Sequence, residues 1–198
     1  MTDNRPQPAP EELARLRAVA DELAEVADRQ QEHWKVEITD GQVTVMMMSP
    51  SGQHGVNVLR LRRQIEQQDA GVAAFSDTDT EDPVSGLRKV PDLMIVPESE
   101  VDAVGARVSS RVVLLAAEVV SPSNPRNDLE VKARDYPAMG IPVYMIVDPR
   151  KGDGMVYSES SQGPDGICYR KAVPYTFGDR IVVGPWTVDT SGFRMYQD

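Results

Sequence analysis

Glu118 stands inside an apolar run, VVLLAAEVV at residues 112–120, that has the composition of a β-strand. A run of Val, Leu and Ala without polar alternation is typical of a strand that is covered on both faces. Burying an ionised carboxylate in such surroundings costs several kcal/mol unless the charge is paired. We therefore expect Glu118 to meet a buried cation, either a basic side chain or a metal ion.

Asp92 and Lys132 also interrupt apolar patterns. Asp92 stands near the start of the strand-like run VPDLMIV at 90–96, and Lys132 shares the apolar face of a predicted helix with Tyr136. If the Asp92 strand lies beside the Glu118 strand, strand parity lets the two carboxylates converge. Taken alone, Asp92 is more typical of a turn, and Lys132 of a lysine whose stem covers a core.

Two carboxylates and one ammonium at a strand–helix junction suit a hard divalent cation. Oxygen ligands favour Mg²⁺ or Mn²⁺, and such ions also bind phosphate oxygens. An ion of this kind can polarise a phosphodiester and activate a water molecule, while a lysine offsets charge in the transition state. Because the chain contains only His33, His54 and Cys168 as nitrogen or sulfur ligands, a zinc site is not expected.

The other apolar patterns predict an α/β or α+β fold in which helices pack on one mixed sheet. Because a single helix links the strands at 112–120 and 142–148, we expect these two to be parallel through a right-handed crossover. Helical spacing predicts helices at 11–31, 53–68 and 127–139. Strands are predicted at 72–76, 90–96, 112–120, 142–148, 155–159 and 167–171, and hairpins at 35–48, around Asp40-Gly41, and near 181–189.

Composition limits the class of protein. The chain has 198 residues, 40% of them hydrophobic, which is enough for one domain with a real core. The formal net charge of −10 argues against a general nucleic-acid coat protein. The single cysteine, Cys168, and an N-terminus without a signal-peptide or membrane-spanning pattern predict a cytoplasmic protein that does not enter membranes.

Three segments of the chain resemble a known family. They are VPDLMIVP, AAEVVSPSNPRNDLEVKARDYPAMGIPVYMIVDP and the upstream VEITDGQVTVMMMSPSGQHGVNVLRL. Together, over roughly residues 34–158, they resemble the Uma-type restriction endonuclease family, a branch of the PD-(D/E)xK nuclease superfamily. The combination of Pro-Asp, Glu-Val-x-Ser-Pro-Ser, Asp-Leu-x-x-Lys and a strand ending in Asp-Pro is specific, although each part alone would be weak.

The resemblance implies a restriction-endonuclease-like fold, in which a mixed central sheet is flanked by helices and preceded by a β-hairpin. The helix predicted at 11–31 from its apolar spacing adds an N-terminal helix before that hairpin. It also implies Mg²⁺, with Mn²⁺ as a substitute, held by Asp92, Glu118 and the backbone carbonyl of Val119. The superfamily's usual lysine lies two residues after the glutamate, where this chain has Val120. Lys132 matches the lysine that takes its place in the family.

Glu37 and His54 match further positions of the family. From the residues alone, Glu37 belongs to a solvated face of the hairpin shared with Lys35 and Thr39, and His54 is a polar residue at the start of a helix. The resemblance implies a metal-side or supporting role for each, so both are candidate catalytic residues. The expected domain plan is a disordered tail at 1–10, an N-terminal helix at 11–33 and a nuclease domain at 34–198.

Three functions remain open. The first is a Mg²⁺-dependent endonuclease that hydrolyses phosphodiester bonds, with DNA as the expected substrate, by attack of a metal-activated water; a homodimer would suit cleavage of both strands. The second is a catalytically inactive binding or regulatory module of the same fold, and the third is an interaction protein with a buried ion triad. A DNA enzyme of this net charge needs a local basic rim, for which the candidates are Arg60, Arg62, Arg63, Arg88, Lys89 and Arg126.

Overall fold

The structure is a computed structural model that describes residues 8–47, 51–103, 105 and 107–197. The helices are α1 (Pro10–Gln30), α2 (Gly52–Gln68) and α3 (Lys132–Ala138). The strands are β1 (Trp34–Thr39), β2 (Gln42–Met47), β3 (Val72–Phe75), β4 (Thr80–Glu81), β5 (Arg88–Lys89), β6 (Leu93–Pro97), β7 (Val108–Ser109), β8 (Leu115–Val119), β9 (Tyr144–Asp148), β10 (Asp153–Gly163), β11 (Gly166–Thr176), β12 (Arg180–Val183) and β13 (Trp186–Asp189). None of the helices in these ranges has the length and apolar character needed to cross a bilayer.

A mixed six-stranded sheet, in the order β11-β10-β9-β8-β6-β3, forms the centre of the fold. β8 and β9 are parallel, as predicted from the single helix between them, and the other neighbours are antiparallel. Alternate residues of β6 and β8 enter two different cores, because successive side chains of a strand point to opposite faces. One core lies under α2 and the β12-β13 hairpin, and the other lies under α3.

The N-terminal hairpin belongs to a second sheet, with strand order β2-β1-β5-β4-β7, so the single sheet predicted from the sequence accounts for only part of the strands. The predicted turn is present: Asp40 and Gly41 have φ values of 49° and 71°, as a two-residue primed turn requires. Val36 and Ile38 of β1 pack against Leu16 and Ala20 of α1.

The opposite face of β1 is also buried, which contradicts the solvated face predicted for Lys35, Glu37 and Thr39. Lys35 and Glu37 are 4% and 2% exposed. Thr39 donates a hydrogen bond to Asp135 of α3, at 3.2 Å, so this face of β1 is turned towards α3 and the central sheet. β1 is therefore enclosed between α1 on one face and α3 with the central sheet on the other. Its charged residues must be paired with charged groups of these elements.

The helix predicted at 127–139 begins with a π-helical turn, Asn127–Val131, before α3. The Lys132 N–H donates to the Asn127 carbonyl, five residues back. π-Helical turns are rare in proteins, and those that occur are frequently found at functional sites. Asp128 and Lys132 are both buried and lie within ion-pair distance, at 3.4 Å. The segment therefore carries two charged groups into the interior.

The C-terminal segment is fixed against α2 by one buried side chain, Asn57. The Asn57 amide donates to the Arg194 carbonyl at 2.8 Å, and its oxygen accepts from the Arg194 N–H at 2.7 Å. Two residues later, the Tyr196 hydroxyl donates to the carbonyl of Val120, at 3.0 Å. The amide of Asn57 thus holds the segment that passes the end of β8.

We predict that Asn57→Ala lowers the free energy of unfolding by about 2 kcal/mol, because the variant loses two hydrogen bonds and leaves their backbone partners unpaired. Urea denaturation followed by circular dichroism measures the change. Gln67→Ala, at an exposed position of the same helix, is the matched control and should change the stability by less than about 0.5 kcal/mol. Equal stabilities of the two variants would contradict the assignment.

Candidate active site

Asp92 and Glu118 meet at the pairing of β6 with β8. These strands are antiparallel with Leu93 opposite Ala117, so the residues one step away, Asp92 and Glu118, are neighbours. The Val119 N–H donates to Asp92 Oδ2 at 2.7 Å, and the Asp92 N–H lies 3.4 Å from Glu118 Oε2. The two side chains are 4% and 1% exposed. The structure therefore brings together the two carboxylates that the strand patterns singled out.

Lys132 joins this pair from α3. Its Nζ lies 2.8 Å from Glu118 Oε1, 3.4 Å from Asp128 Oδ1 and 3.5 Å from Glu37 Oε1. The side chain is 2% exposed, so the alternative of a lysine that covers the core and reaches water is wrong. The apolar face predicted for this helix does pack on the sheet, and it places the ammonium beside Glu118.

Glu37 lies behind Lys132, on the buried face of β1. Glu37 Oε2 is 3.5 Å from the ammonium of Lys89, and Oε1, the oxygen that faces Lys132, accepts a hydrogen bond from the Val90 N–H at 3.3 Å. Glu37 is not among the described residues that line the cavity next to Asp92. Among the described residues, the carboxylate therefore contacts the site through Lys132 and not through the wall of that cavity.

His54 contacts Asp92 from the first turn of α2. Its Nε2 lies 3.3 Å from Asp92 Oδ2, and its backbone N–H donates to the hydroxyl of Ser51, the N-cap of the helix. The imidazole is nearly buried, with 9% of the side chain exposed. The helix start that made His54 look ordinary in the sequence thus aims the ring at the carboxylate.

Sequence reasoning missed three residues of the site: Lys35, Asp128 and Tyr136. Lys35 Nζ contacts Asp92 Oδ1 directly, and the Tyr136 hydroxyl donates to Glu118 Oε1 at 2.6 Å. For Asp128 and Tyr136 a signal was available, because both lie four residues from Lys132 in the same helical segment. For Lys35 there was none, since its alternation in β1 fits a solvated face equally well.

The electrostatics of the site differ between its two carboxylates. Burial raises the pKa of Glu118 to about 8, a rise that the Lys132 ammonium limits and the Asp92 carboxylate reinforces. Burial acts in the same direction on Asp92, but the Lys35 ammonium and the hydrogen bond from His54 hold its pKa well below the usual range. Burial opposes the charge of Lys132, yet its acidic neighbours, Glu118 first, keep its pKa well above the usual value.

A cavity of about 600 Å³ opens next to these groups. Its wall is formed by the charged residues of the site, by the 121–124 loop after β8, by Met46 and Met47 of β2 and by the C-terminal segment. The described lining residues are Lys35, Met46, Met47, Ser51, Gln53, His54, Asp92, Glu118, Val119, Ser121, Pro122, Ser123, Asn124, Asn127, Asp128, Lys132, Tyr196 and Gln197.

The donor set fits a hard divalent cation that keeps much of its water. Asp92, Glu118 and Val119 line the cavity, and carboxylate and backbone carbonyl oxygens are the ligands that such ions prefer. The Lys35 ammonium on Asp92 Oδ1 shows that a cation is accommodated at that oxygen. Among the described residues, no three His, Cys, Asp or Glu side chains are grouped as in a metal site made of protein side chains. Water and phosphate oxygens would complete the coordination, as is usual for Mg²⁺.

The basic rim proposed from the sequence is wrong for two of its six members. Arg88 is fully buried and pairs with Asp21 and Glu81, at 2.8 and 3.0 Å. Lys89 is also fully buried and lies 2.9 Å from Asp135. Both belong to β5, which is enclosed within the second sheet, so neither can reach a nucleic acid. Arg126 is 80% exposed and close in sequence to the cavity wall, and it remains a candidate.

Comparison with known proteins places these features in a family. The chain is similar in fold to a crystal structure described as a putative nuclease belonging to DUF820 from Anabaena variabilis, with a TM-score of 0.55 and 15% sequence identity over 75% of this chain and 80% of that chain. No curated protein compared with the sequence matches it significantly. The model of the Uma2 family, described as "Putative restriction endonuclease", matches residues 20–186. Because this match spans most of the chain, the protein belongs to the Uma2 family.

Proposed function

We propose that this chain is a metal-dependent endonuclease that hydrolyses phosphodiester bonds, with DNA as its substrate. The observation that carries the proposal is the meeting of Asp92, Glu118 and Lys132 in the wall of one cavity. Two carboxylates beside an ammonium suit a bound ion together with a phosphate group, because the ion binds oxygen and the amine offsets negative charge. Membership of a family described as restriction endonucleases supports the same class of reaction.

Asp92, Glu118 and the carbonyl of Val119 would hold Mg²⁺, or Mn²⁺ in its place. When bound, such an ion polarises the scissile phosphate and lowers the pKa of a coordinated water, so that a nucleophile is available near neutral pH. The two carboxylates are fixed before the ion arrives: Asp92 accepts from the Val119 N–H, and Glu118 accepts from the Tyr136 hydroxyl. Carboxylates held in this way would orient the ion and its phosphate without moving themselves.

Lys132 supplies the positive charge that the transition state needs. Its ammonium lies in the wall of the cavity, 2.8 Å from Glu118, where a phosphate bound at the carboxylates would be within its reach. Charge stabilisation is strongest in a buried, water-poor site, and Lys132 is 2% exposed. Lys132, from α3, would take the role of the lysine that the superfamily has two residues after the glutamate.

Glu37 and His54 are proposed as positioning residues. Glu37 contacts Lys132 from the side opposite the cavity and limits the directions in which the ammonium can turn. His54 contacts Asp92 Oδ2 and leaves the carboxylate's other oxygen to a cation. Groups that orient a ligand in this way commonly change metal affinity or activity by about 10–100-fold.

Binding of DNA is opposed by repulsion between its phosphates and a protein of net charge −10. Arg126, beside the segment that lines the cavity, is 80% exposed and would exchange its ion pair with Glu130, at 2.9 Å, for a DNA phosphate. Binding to phosphates through few basic residues predicts a shallow dependence of affinity on salt. The proposal also includes a homodimer, which would present one site to each DNA strand. It includes a cytoplasmic location, where DNA is accessible.

A catalytically inactive binding module of the same fold is the second candidate. It is favoured by Val120, which is fully buried at the position where the superfamily has its usual lysine. Such a module would bind divalent ions or nucleic acid without cutting it. Binding of DNA by the wild-type protein, together with intact DNA after long incubation in Mg²⁺ or Mn²⁺, would support this second candidate against the first.

We predict that Asp92→Asn and Glu118→Gln each reduce cleavage of DNA by at least about 100-fold, because each replaces a carboxyl group that can ionise to hold the ion by a neutral amide. Nicking and linearisation of supercoiled plasmid, measured in Mg²⁺ and in Mn²⁺ with an EDTA blank, report the rate. Asp165→Asn, in the exposed turn between β10 and β11, is the control and should leave the rate unchanged. If both site variants cleave DNA at the wild-type rate, the proposal that these carboxylates form the active site of an endonuclease is wrong.

We predict that Lys132→Met lowers the cleavage rate by about 100-fold or more while the protein still binds Mn²⁺, since the amine acts on the phosphate and not as a ligand. Glu37→Gln, which alters only the support of the amine, should lower the rate by about tenfold. Circular dichroism checks the fold of both variants, because removal of a buried cation can destabilise a protein by about 3–5 kcal/mol. A folded Lys132→Met protein with wild-type rate would contradict the role given to Lys132.

A further inference from the structure

Lys35 places its ammonium against a proposed ligand of the metal ion. The side chain is 5% exposed, and its Nζ contacts Asp92 Oδ1, the oxygen that His54 leaves free. A divalent cation bound to that oxygen and the ammonium in contact with it would be two like charges at close range. Like charges repel strongly in the low-dielectric interior of a protein, so the ion and the ammonium compete for this oxygen.

A second carboxylate offers the Lys35 ammonium another position. Asp77 Oδ1 lies 3.2 Å from Nζ, and the Asp77 side chain is 66% exposed. The backbone of Asp77 has a φ of 49°, a left-handed conformation that aspartate tolerates better than most residues. Its N–H donates to the carbonyl of Pro91, the residue before Asp92, at 3.2 Å. Asp77 is thereby fixed to the same segment of chain as Asp92.

The two carboxylates lie on different sides of the lysine. Lys35 and His54 line both the cavity of about 600 Å³ that contains Asp92 and a second cavity of about 830 Å³ that contains Asp77. Asp77 is not among the described residues that line the first cavity. A short movement of the flexible lysine side chain from Asp92 towards Asp77 would therefore take its charge out of the metal site and into the neighbouring cavity.

We propose that Lys35 is a tethered competitor of the divalent ion: its ammonium occupies Asp92 in the ion-free protein and transfers to Asp77 when the ion binds. The proposal rests on the proposed function, since it presupposes an ion at Asp92 and Glu118. It makes Lys35 a residue that sets the affinity of the site. It also gives Asp77, which contacts no other described member of the site, a part in binding the ion.

Calorimetric titration with Mn²⁺ alone tests the exchange without any measurement of activity. Lys35→Met keeps the length of the side chain but removes the competitor, and it should bind Mn²⁺ about tenfold or more tightly than the wild type. Asp77→Asn removes the position that receives the ammonium and should weaken binding several-fold. Lys171→Met, at an exposed strand position, removes the same charge from the chain and should leave the affinity unchanged.

The outcomes separate this inference from the proposed function. Equal or weaker binding by folded Lys35→Met, with measurable binding by the wild type, would overturn the exchange and leave the metal site standing. Binding by Lys35→Met but not by the wild type would support the exchange. If neither the wild type nor any variant binds Mn²⁺, the proposed metal-dependent function itself is wrong. Should Lys35→Met fail to fold, unchanged or tighter binding by Asp77→Asn would overturn the exchange.

Discussion

A buried carboxylate in a sheet needs a cation, and this requirement governs the arrangement around Asp92 and Glu118. The two residues lie one step beyond the Leu93–Ala117 pair of adjacent strands, where they are 4% and 1% exposed. Leaving such charges unpaired costs several kcal/mol each. Each carboxylate contacts its own ammonium, Asp92 that of Lys35 and Glu118 that of Lys132. Lys35 comes from β1 and Lys132 from α3, so the two lysines tie the N-terminal hairpin and α3 to the central sheet.

The same requirement explains why the N-terminal part of the chain packs where it does. β1 carries Lys35 and Glu37 on one face and the apolar Val36 and Ile38 on the other. The apolar face is covered by α1, and the charged face is turned towards Asp92 and Lys132. The hairpin and α1 therefore complete the candidate site as well as adding a second sheet. A nuclease domain without this segment would lack the cation at Asp92.

Local patterns predicted those parts of the fold that depend on few neighbours. The turn at Asp40-Gly41 and the parallel pair of β8 and β9 follow from short-range rules, and the structure contains both. Glu118 was recognisable because one charge in a long apolar run has few explanations. The burial of Glu37, and of the β5 residues Arg88 and Lys89, could not be predicted in this way. Alternating polar residues look the same in a strand with one solvated face and in a strand whose polar face is covered by a distant segment. Thr39 is an example, because the residue that covers it, Asp135, lies 96 positions away in the sequence.

We propose that Asp92 and Glu118 hold a divalent ion in the cavity next to β6, β8 and the segment that leads into α3. The most direct test is a crystal structure of the wild-type protein soaked in Mn²⁺, with anomalous data collected to locate the ion. We expect one strong anomalous peak within bonding distance of both carboxylates, with the Lys35 ammonium displaced towards Asp77. A well-ordered site without a peak at saturating Mn²⁺, and with Lys35 still in contact with Asp92, would contradict it.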